Sequence, residues 1–191
     1  MDFVTLLIVL AGGFFAGVIN TLAGNGSAIT LTILTEVLGL PGTLANGTNR
    51  IGIAAQSLTS GYAFHRHGHL SVRDKWVFLL PVILGAILGI YVATQVDNAQ
   101  FRTVFRYLMV LMLIVVLVKP GRWLRETDAE NRPSLWIMTP LTFILGFYGG
   151  FIQMGMGVFF LAVMVLVGRF SLLDANAMKI FVIAIYTIIA L

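Results

Sequence analysis

Arg50 and Lys179 each sit inside an otherwise apolar run, within the related segments Ala45-Asn46-Gly47-Thr48-Asn49-Arg50-Ile51 and Ala175-Asn176-Ala177-Met178-Lys179-Ile180. Aligned with one gap, the two segments place a cation in each half of the chain. A basic side chain entering hydrocarbon costs roughly 2.5 to 3.5 kcal/mol at mid-depth, so it turns toward a cavity or a partner unless it snorkels from a helix end. Held near a cavity, such charges bind a small anion. On the helix that starts near Asn46, the residues Asn46, Asn49, Arg50, Gln56, Ser57 and Ser60 recur at three- and four-residue steps and share one face. That stripe either binds a ligand or hydrogen-bonds neighbouring helices.

A second set of candidates lies where glycines interrupt apolar sequence. Ala23-Gly24-Asn25-Gly26-Ser27-Ala28 breaks a run that otherwise extends from Phe3 to about Leu40. Glycines around an asparagine permit positive φ and leave backbone groups outside the helical ladder. At membrane depth such groups must be buried in protein or line a wet cavity. The break has a copy: Gly146 to Val158, containing Gln153, Met156 and Gly157, repeats Gly13 to Ser27 with two residues deleted. Paired interrupted segments in two halves point to a transporter's binding site. Free N–H groups near Gly26, Ser27 and Gly157 would add a positive helix end that favours an anion; Ser27 also has the chemistry of an N-cap.

Other chemistries lack their residues. His65, His67 and His69 alternate in a loop, with no cysteine and no paired carboxylate nearby to complete a metal site. They belong to an aqueous loop rather than to a helix facing Ser27, so no serine triad assembles. Glu36 is the one carboxylate inside an apolar run, hence the one candidate for a carboxylate proton relay. The expectation is a protein that is not an enzyme and has neither a metal site nor a cofactor.

The elements that must position these residues are membrane spans. The chain is 59% hydrophobic and 10% charged, with mean hydropathy +0.96, a membrane composition. Apolar runs at about Phe3–Leu22, Thr48–Phe64, Trp76–Thr94, Phe101–Val118 and Leu135–Gln153 approach the ~20 residues that cross ~30 Å of hydrocarbon. The first has no basic leader and reads as a retained span rather than a signal peptide. Ala28–Leu38 and Gly157–Val167, at ~1.5 Å per residue, reach only about half way and read as half-helices. The final run, Ala175–Leu191, stops in apolar sequence, so the second repeat is expected to be incomplete. The net charge of +4 is topological rather than a sign of nucleic acid: Arg66, Arg73 and Lys75 in one connection, and Lys119, Arg122, Arg125 and Arg132 in another, mark the cytoplasmic face. The Gln95–Gln100 turn and the Gly39–Ala45 loop then lie outside.

The fold expected is all-α: a polytopic membrane helix bundle of two repeats, inverted, each starting with a glycine-interrupted helix hairpin. Residues 1–118 form the first transmembrane repeat, 119–134 a cytoplasmic linker and 135–191 the second, incomplete repeat. The sequence resembles the sulfite exporter TauE/SafE family of membrane transporters, through Gly13 to Ser27 followed by Asn46-Gly47-Thr48-Asn49, and through Gly146 to Val158 followed by Ala177-Met178-Lys179. Ser27, Met156 and Val158 stand at positions that are glycine-like in the family. The resemblance implies a secondary transporter, an exporter, of a small sulfur-containing anion such as sulfite or an organosulfonate, in a cell membrane that would be a bacterial inner membrane. Its substrate would meet Asn25, Gly26, Ser27, Asn49, Arg50 and Gln56 from one half, and Gln153, Met156, Gly157 and Lys179 from the other. Lipid and the anion are the expected partners, with a homodimer among the oligomeric states open to it. The rival expectation is a non-transporting membrane scaffold in which the glycines serve only close packing.

Overall fold

A computed structural model describes residues 2–68, 75–117 and 134–191. All the regular structure among these residues is helical: α1 (Phe3–Leu22), α2 (Gly26–Thr32), α3 (Gly42–Arg66), α4 (Trp76–Gln95), α5 (Asn98–Leu117), α6 (Leu135–Phe151), α7 (Met156–Ala162) and α8 (Leu172–Ile189), with α2 and α7 continuing into π turns at Ile33–Val37 and Val163–Val167. The linker 119–133, together with His69 and Arg73, lies outside the described residues. By length and composition α1, α4 and α8 are able to cross a membrane, while Gly26–Val37, α6 and Met156–Val167 are shorter apolar helices. The apolar pattern therefore located both half-helices to within two residues. It started α3 too late. That helix begins at Gly42, directly after Pro41, because its polar residues are buried against other helices and the backbone ladder needs no apolar side chain to continue.

Each break is the tip of a hairpin. In the first, α2 returns antiparallel along α1: an added Cβ on Gly26 would meet the Ala16 carbonyl oxygen at 1.8 Å, and one on Gly12 would meet Ile33 at 2.3 Å. In the second, a Cβ on Gly149 would meet Met156 at 2.6 Å near the tip, and one on Gly168 would meet Met138 at 3.1 Å near the base. The repeats agree element by element. A uniform shift of 130 residues carries α2 and its π turn onto α7 and its π turn, and Gly42 onto Leu172. Even the terminating bonds match, with Leu40 N–H donating to the Leu34 carbonyl and Phe170 N–H to the Met164 carbonyl, both at 3.0 Å. Gly39 and Arg169, equivalent under the same shift, both have positive φ, at 67° and 55°.

Close packing in α4 and α6 comes from glycine pairs four residues apart, which let backbones approach in the absence of a hydrophobic drive between spans. Gly85 and Gly89 face the Phe143 and Phe147 carbonyls, and Gly146 and Gly150 face the Val82 and Ala86 carbonyls; in all four cases a Cβ would stand 1.9 to 2.1 Å from oxygen. Numbers rise together across this interface, so α4 and α6 run parallel. By contrast α3 and α8 run antiparallel, with Gly61 beside Ile180 and Arg50 facing Tyr186. Lys75, preceding α4, pairs with Asp174 in the first turn of α8, which brings the starts of those two helices to one face. A core of Val82, Ala86, Met138, Met156, Phe160, Met178 and Tyr186 fills the space between α4, α6, α7 and α8.

Candidate functional site

The two hairpin tips meet. At Gly24, φ is +81° and an added Cβ would stand 2.5 Å from the Gly157 Cα; the converse distance, from Gly157 to the Gly24 Cα, is also 2.5 Å. Only glycine permits both that dihedral and that approach. Asn25, at the N-cap of α2, makes no side-chain capping bond, and its Oδ1 is buried without a partner. The equivalent cap in the second hairpin is Gly155 at φ 68°, preceded by Gln153 at φ 61°.

Gly26, Ser27, Asn49 and Gln56 come together around a cavity of about 260 Å³ between α1, α2 and α3, whose remaining wall includes Gly13, Gly17, Asn20, Thr30 and Gly52. Ser27 and Asn49 are buried. The Asn49 Nδ2 is a buried donor without a partner, the kind of group an anion satisfies. Gln56, also in the wall, is bonded to α1. Its Oε1 accepts from Asn20 Nδ2 at 2.9 Å, and its Nε2 donates to the Gly17 carbonyl at 2.9 Å and to Thr21 Oγ1. With its amide so engaged, Gln56 holds α1 against α3 and shapes the cavity.

Arg50 turns away from that cavity. Its Nη2 donates to the Gly150 carbonyl and, at 3.5 Å, to that of Phe151, at the C-terminal end of α6. Asn46 Nδ2 also donates to Phe151, at 3.2 Å. Lys179 makes the reciprocal contact, its Nζ donating at 3.4 Å to the carbonyl of Thr21 at the end of α1. Each cation thus lies against the negative, carbonyl-bearing end of the break helix in the other repeat. The equivalence is one of partner rather than of sequence register. The uniform shift of 130 sets Lys179 opposite Asn49 and Ile180 opposite Arg50, so the one-residue gap expected from the sequence is not needed. Arg50 is 3% exposed and Lys179 1%. Among the described residues no carboxylate pairs with either, and the Arg50 Nη1 is buried with no partner.

The second hairpin is packed more densely. Met156, which the shift places opposite Gly26, is fully buried and occupies the room left by Gly149. In the first hairpin the small residues lie on both sides, at Ala16 and Gly26. Gln153 Nε2 donates to Thr187 Oγ1 at 2.9 Å, tying the tip to α8 much as Asn20 is tied through Gln56 to α3. Gly157 is committed to the contact with Gly24.

Sequence reasoning missed the Gly85 and Gly89 pair, whose signal was the four-residue spacing within an apolar helix. It also missed a second cavity of about 210 Å³, lined by Thr43, Asn46, Gly47, Arg50, Ile90 and Thr94 among others, because its walls come from segments distant in sequence. Glu36 is exposed in the π turn that follows α2. His65 and His67 are exposed at the end of α3, and among the described residues no three His, Asp or Glu side chains gather.

A family model described as sulfite exporter TauE/SafE matches residues 9–191. The chain is 33% identical over 174 residues to a Haemophilus influenzae protein described as a probable membrane transporter protein, covering 90% of this chain and 67% of that one. It is 27% identical over 178 residues to probable membrane transporter protein ORF9 of a Sinorhizobium species, covering 93% and 67%. It is 24% identical to probable membrane transporter protein YunE of Bacillus subtilis, covering 96% and 74%. No solved structure matches.

Proposed function

This chain belongs to the sulfite exporter TauE/SafE family, a family of membrane transporters, and on that premise we propose that it is a secondary transporter, an exporter, of a small sulfur-containing anion such as sulfite or an organosulfonate. One observation carries the anion: Arg50 and Lys179 are buried, and their described partners are backbone carbonyls rather than carboxylates. Buried charge without a counter-ion is costly, and an anion entering beside these residues offsets that cost with charge-assisted hydrogen bonds. The substrate-binding groups are Ser27, Asn49 and the first-turn backbone at Gly26 on one side, with Arg50 adjacent. Lys179 is the charged group of the related half-site, and Gln153, Met156 and Gly157 form the packed hairpin tip beside it. Asn25 and Gln56 shape the tip and the wall.

An inverted arrangement of the repeats accounts for the geometry. Hairpin tips that meet at Gly24 and Gly157, and equivalent helices α3 and α8 that run antiparallel, are what two units entering from opposite faces of a bacterial inner membrane would produce. Alternating access would then exchange the exposure of one half-site for the other. The rival scaffold reading draws on the glycine packing of α4 and α6 and on the carbonyl partners of the cations. Binding decides between them: purified protein titrated with sulfite and with methanesulfonate should show saturable, salt-sensitive binding, and its absence for both would leave the scaffold.

A further inference from the structure

Helix α3 carries adjacent side chains into different spaces. Asn49 lines the cavity bounded by α1 and α2, whereas Arg50 lines the one bounded by the start of α3, the ends of α4 and α8 and the start of α5. The two differ in what they leave unsatisfied. At Asn49 the buried unpartnered atom is a donor, Nδ2. Of the residues around the second cavity, Arg50 leaves a donor, Nη1, and Asn46 an acceptor, Oδ1, buried and unpartnered beside it. The orientation of that amide follows from its partner: the Phe151 carbonyl is an acceptor, so the nitrogen of Asn46 must face it and the oxygen is the atom left over. Thr43 does not compete for these groups, since its hydroxyl donates to Asn98 Oδ1 at 2.7 Å.

We propose that the cavity lined by Arg50 and Asn46 is a separate binding site for a small monoanion that carries its own hydrogen-bond donor. The anionic oxygen accepts from Arg50 Nη1, and a hydroxyl or N–H of the same molecule donates to Asn46 Oδ1. An anion without a donor satisfies only the arginine and leaves a buried carbonyl oxygen unpaired, which is the more expensive outcome. At the Asn49 cavity no lining side chain leaves a buried acceptor unpaired, so it has no such requirement. The proposal rests on the anion-transport reading and adds to it a second station with a different selectivity.

Glycines supply the test, because Gly47 lines the Arg50 cavity and Gly52 the Asn49 cavity, and a Cβ at either meets nothing within 4 Å. Leucine at each position is expected to obstruct the cavity that its glycine lines, and it favours the helix. The probes are hydroxymethanesulfonate and methanesulfonate, which differ by one hydroxyl, titrated calorimetrically into the purified full chain. The wild type is expected to bind the hydroxylated probe about five-fold more tightly, the range of one neutral hydrogen bond. Gly47→Leu is expected to abolish that preference and Gly52→Leu to retain it. Equal affinities in the wild type, or a preference that survives Gly47→Leu and disappears in Gly52→Leu, would overturn the assignment while leaving anion binding intact. Failure of both probes to bind would overturn this proposal, and failure of sulfite to bind as well would remove the transport reading itself.

Discussion

Gly24 and Gly157 touch backbone to backbone, each leaving no room for a methyl group on the other: a Cβ added to either stands 2.5 Å from the opposite Cα. The contact joins residues from the two halves of the chain and closes the tips of both hairpins on each other. An anion site built on both hairpins is held in register by that contact.

Gly157→Ala should therefore destabilise the protein by about 1 to 3 kcal/mol, the usual cost of forcing atoms into a packed interior. Gly47→Ala, where the added methyl meets open space, serves as the comparison and should leave stability unchanged or raise it by up to about 1 kcal/mol through helix propensity. Thermal unfolding in detergent reads both. Equal midpoints for the two variants would refute a close tip-to-tip contact.

Arg50→Gln should weaken sulfite and sulfonate binding by roughly ten-fold or more, and Ser27→Ala by less. A charge-assisted hydrogen bond is worth about 1.5 to 3 kcal/mol against about 0.5 to 1.5 for a neutral one. Lys179→Gln should lose affinity in the same sense. If both charge variants fold and bind as the wild type does, the carbonyl contacts of Arg50 and Lys179 are their whole purpose.

Glu36→Gln should leave anion affinity within a few-fold. Glu36 is exposed beyond the end of α2, and a carboxylate directed at the site would repel its ligand. A transport rate that depends on pH in the wild type and becomes flat in this variant would instead make Glu36 part of proton coupling.

Topology can be read by single cysteines, since the chain has none of its own. His67→Cys and Leu173→Cys should resist an impermeant thiol reagent in intact cells and react after lysis, because the Lys75–Asp174 pair puts the start of α8 on the face where α4 begins. Gln95→Cys, at the other end of α4, should label from outside. The opposite pattern would reverse the orientation, and labelling of His67→Cys and Leu173→Cys from different sides would break the helix arrangement itself.

The amino-acid sequence determined the class of this protein and most of its segments. Length and apolarity alone specify α1, which has the predicted boundaries, and place the ends of α4 and both half-helices within a residue or two. The glycine breaks and their copy were legible because a backbone interruption in apolar sequence has few physical solutions. The π turns at Ile33–Val37 and Val163–Val167 had no such signal, being a difference in hydrogen-bond spacing within ordinary apolar residues.

Tertiary structure decided what the charged and polar residues do. Asn49 and Arg50 are neighbours on one polar stripe, and periodicity assigned them to one site; packing of α1 and α2 on one side of α3 and of α5 and α8 on the other sent them to different cavities. The partners of the cations were equally hidden. Arg50 reaches a carbonyl 100 residues away and Lys179 one 158 residues away. Helical spacing describes which side chains share a face of one helix, but the group each one meets depends on which helix packs against that face, and that is settled only when the two repeats are assembled.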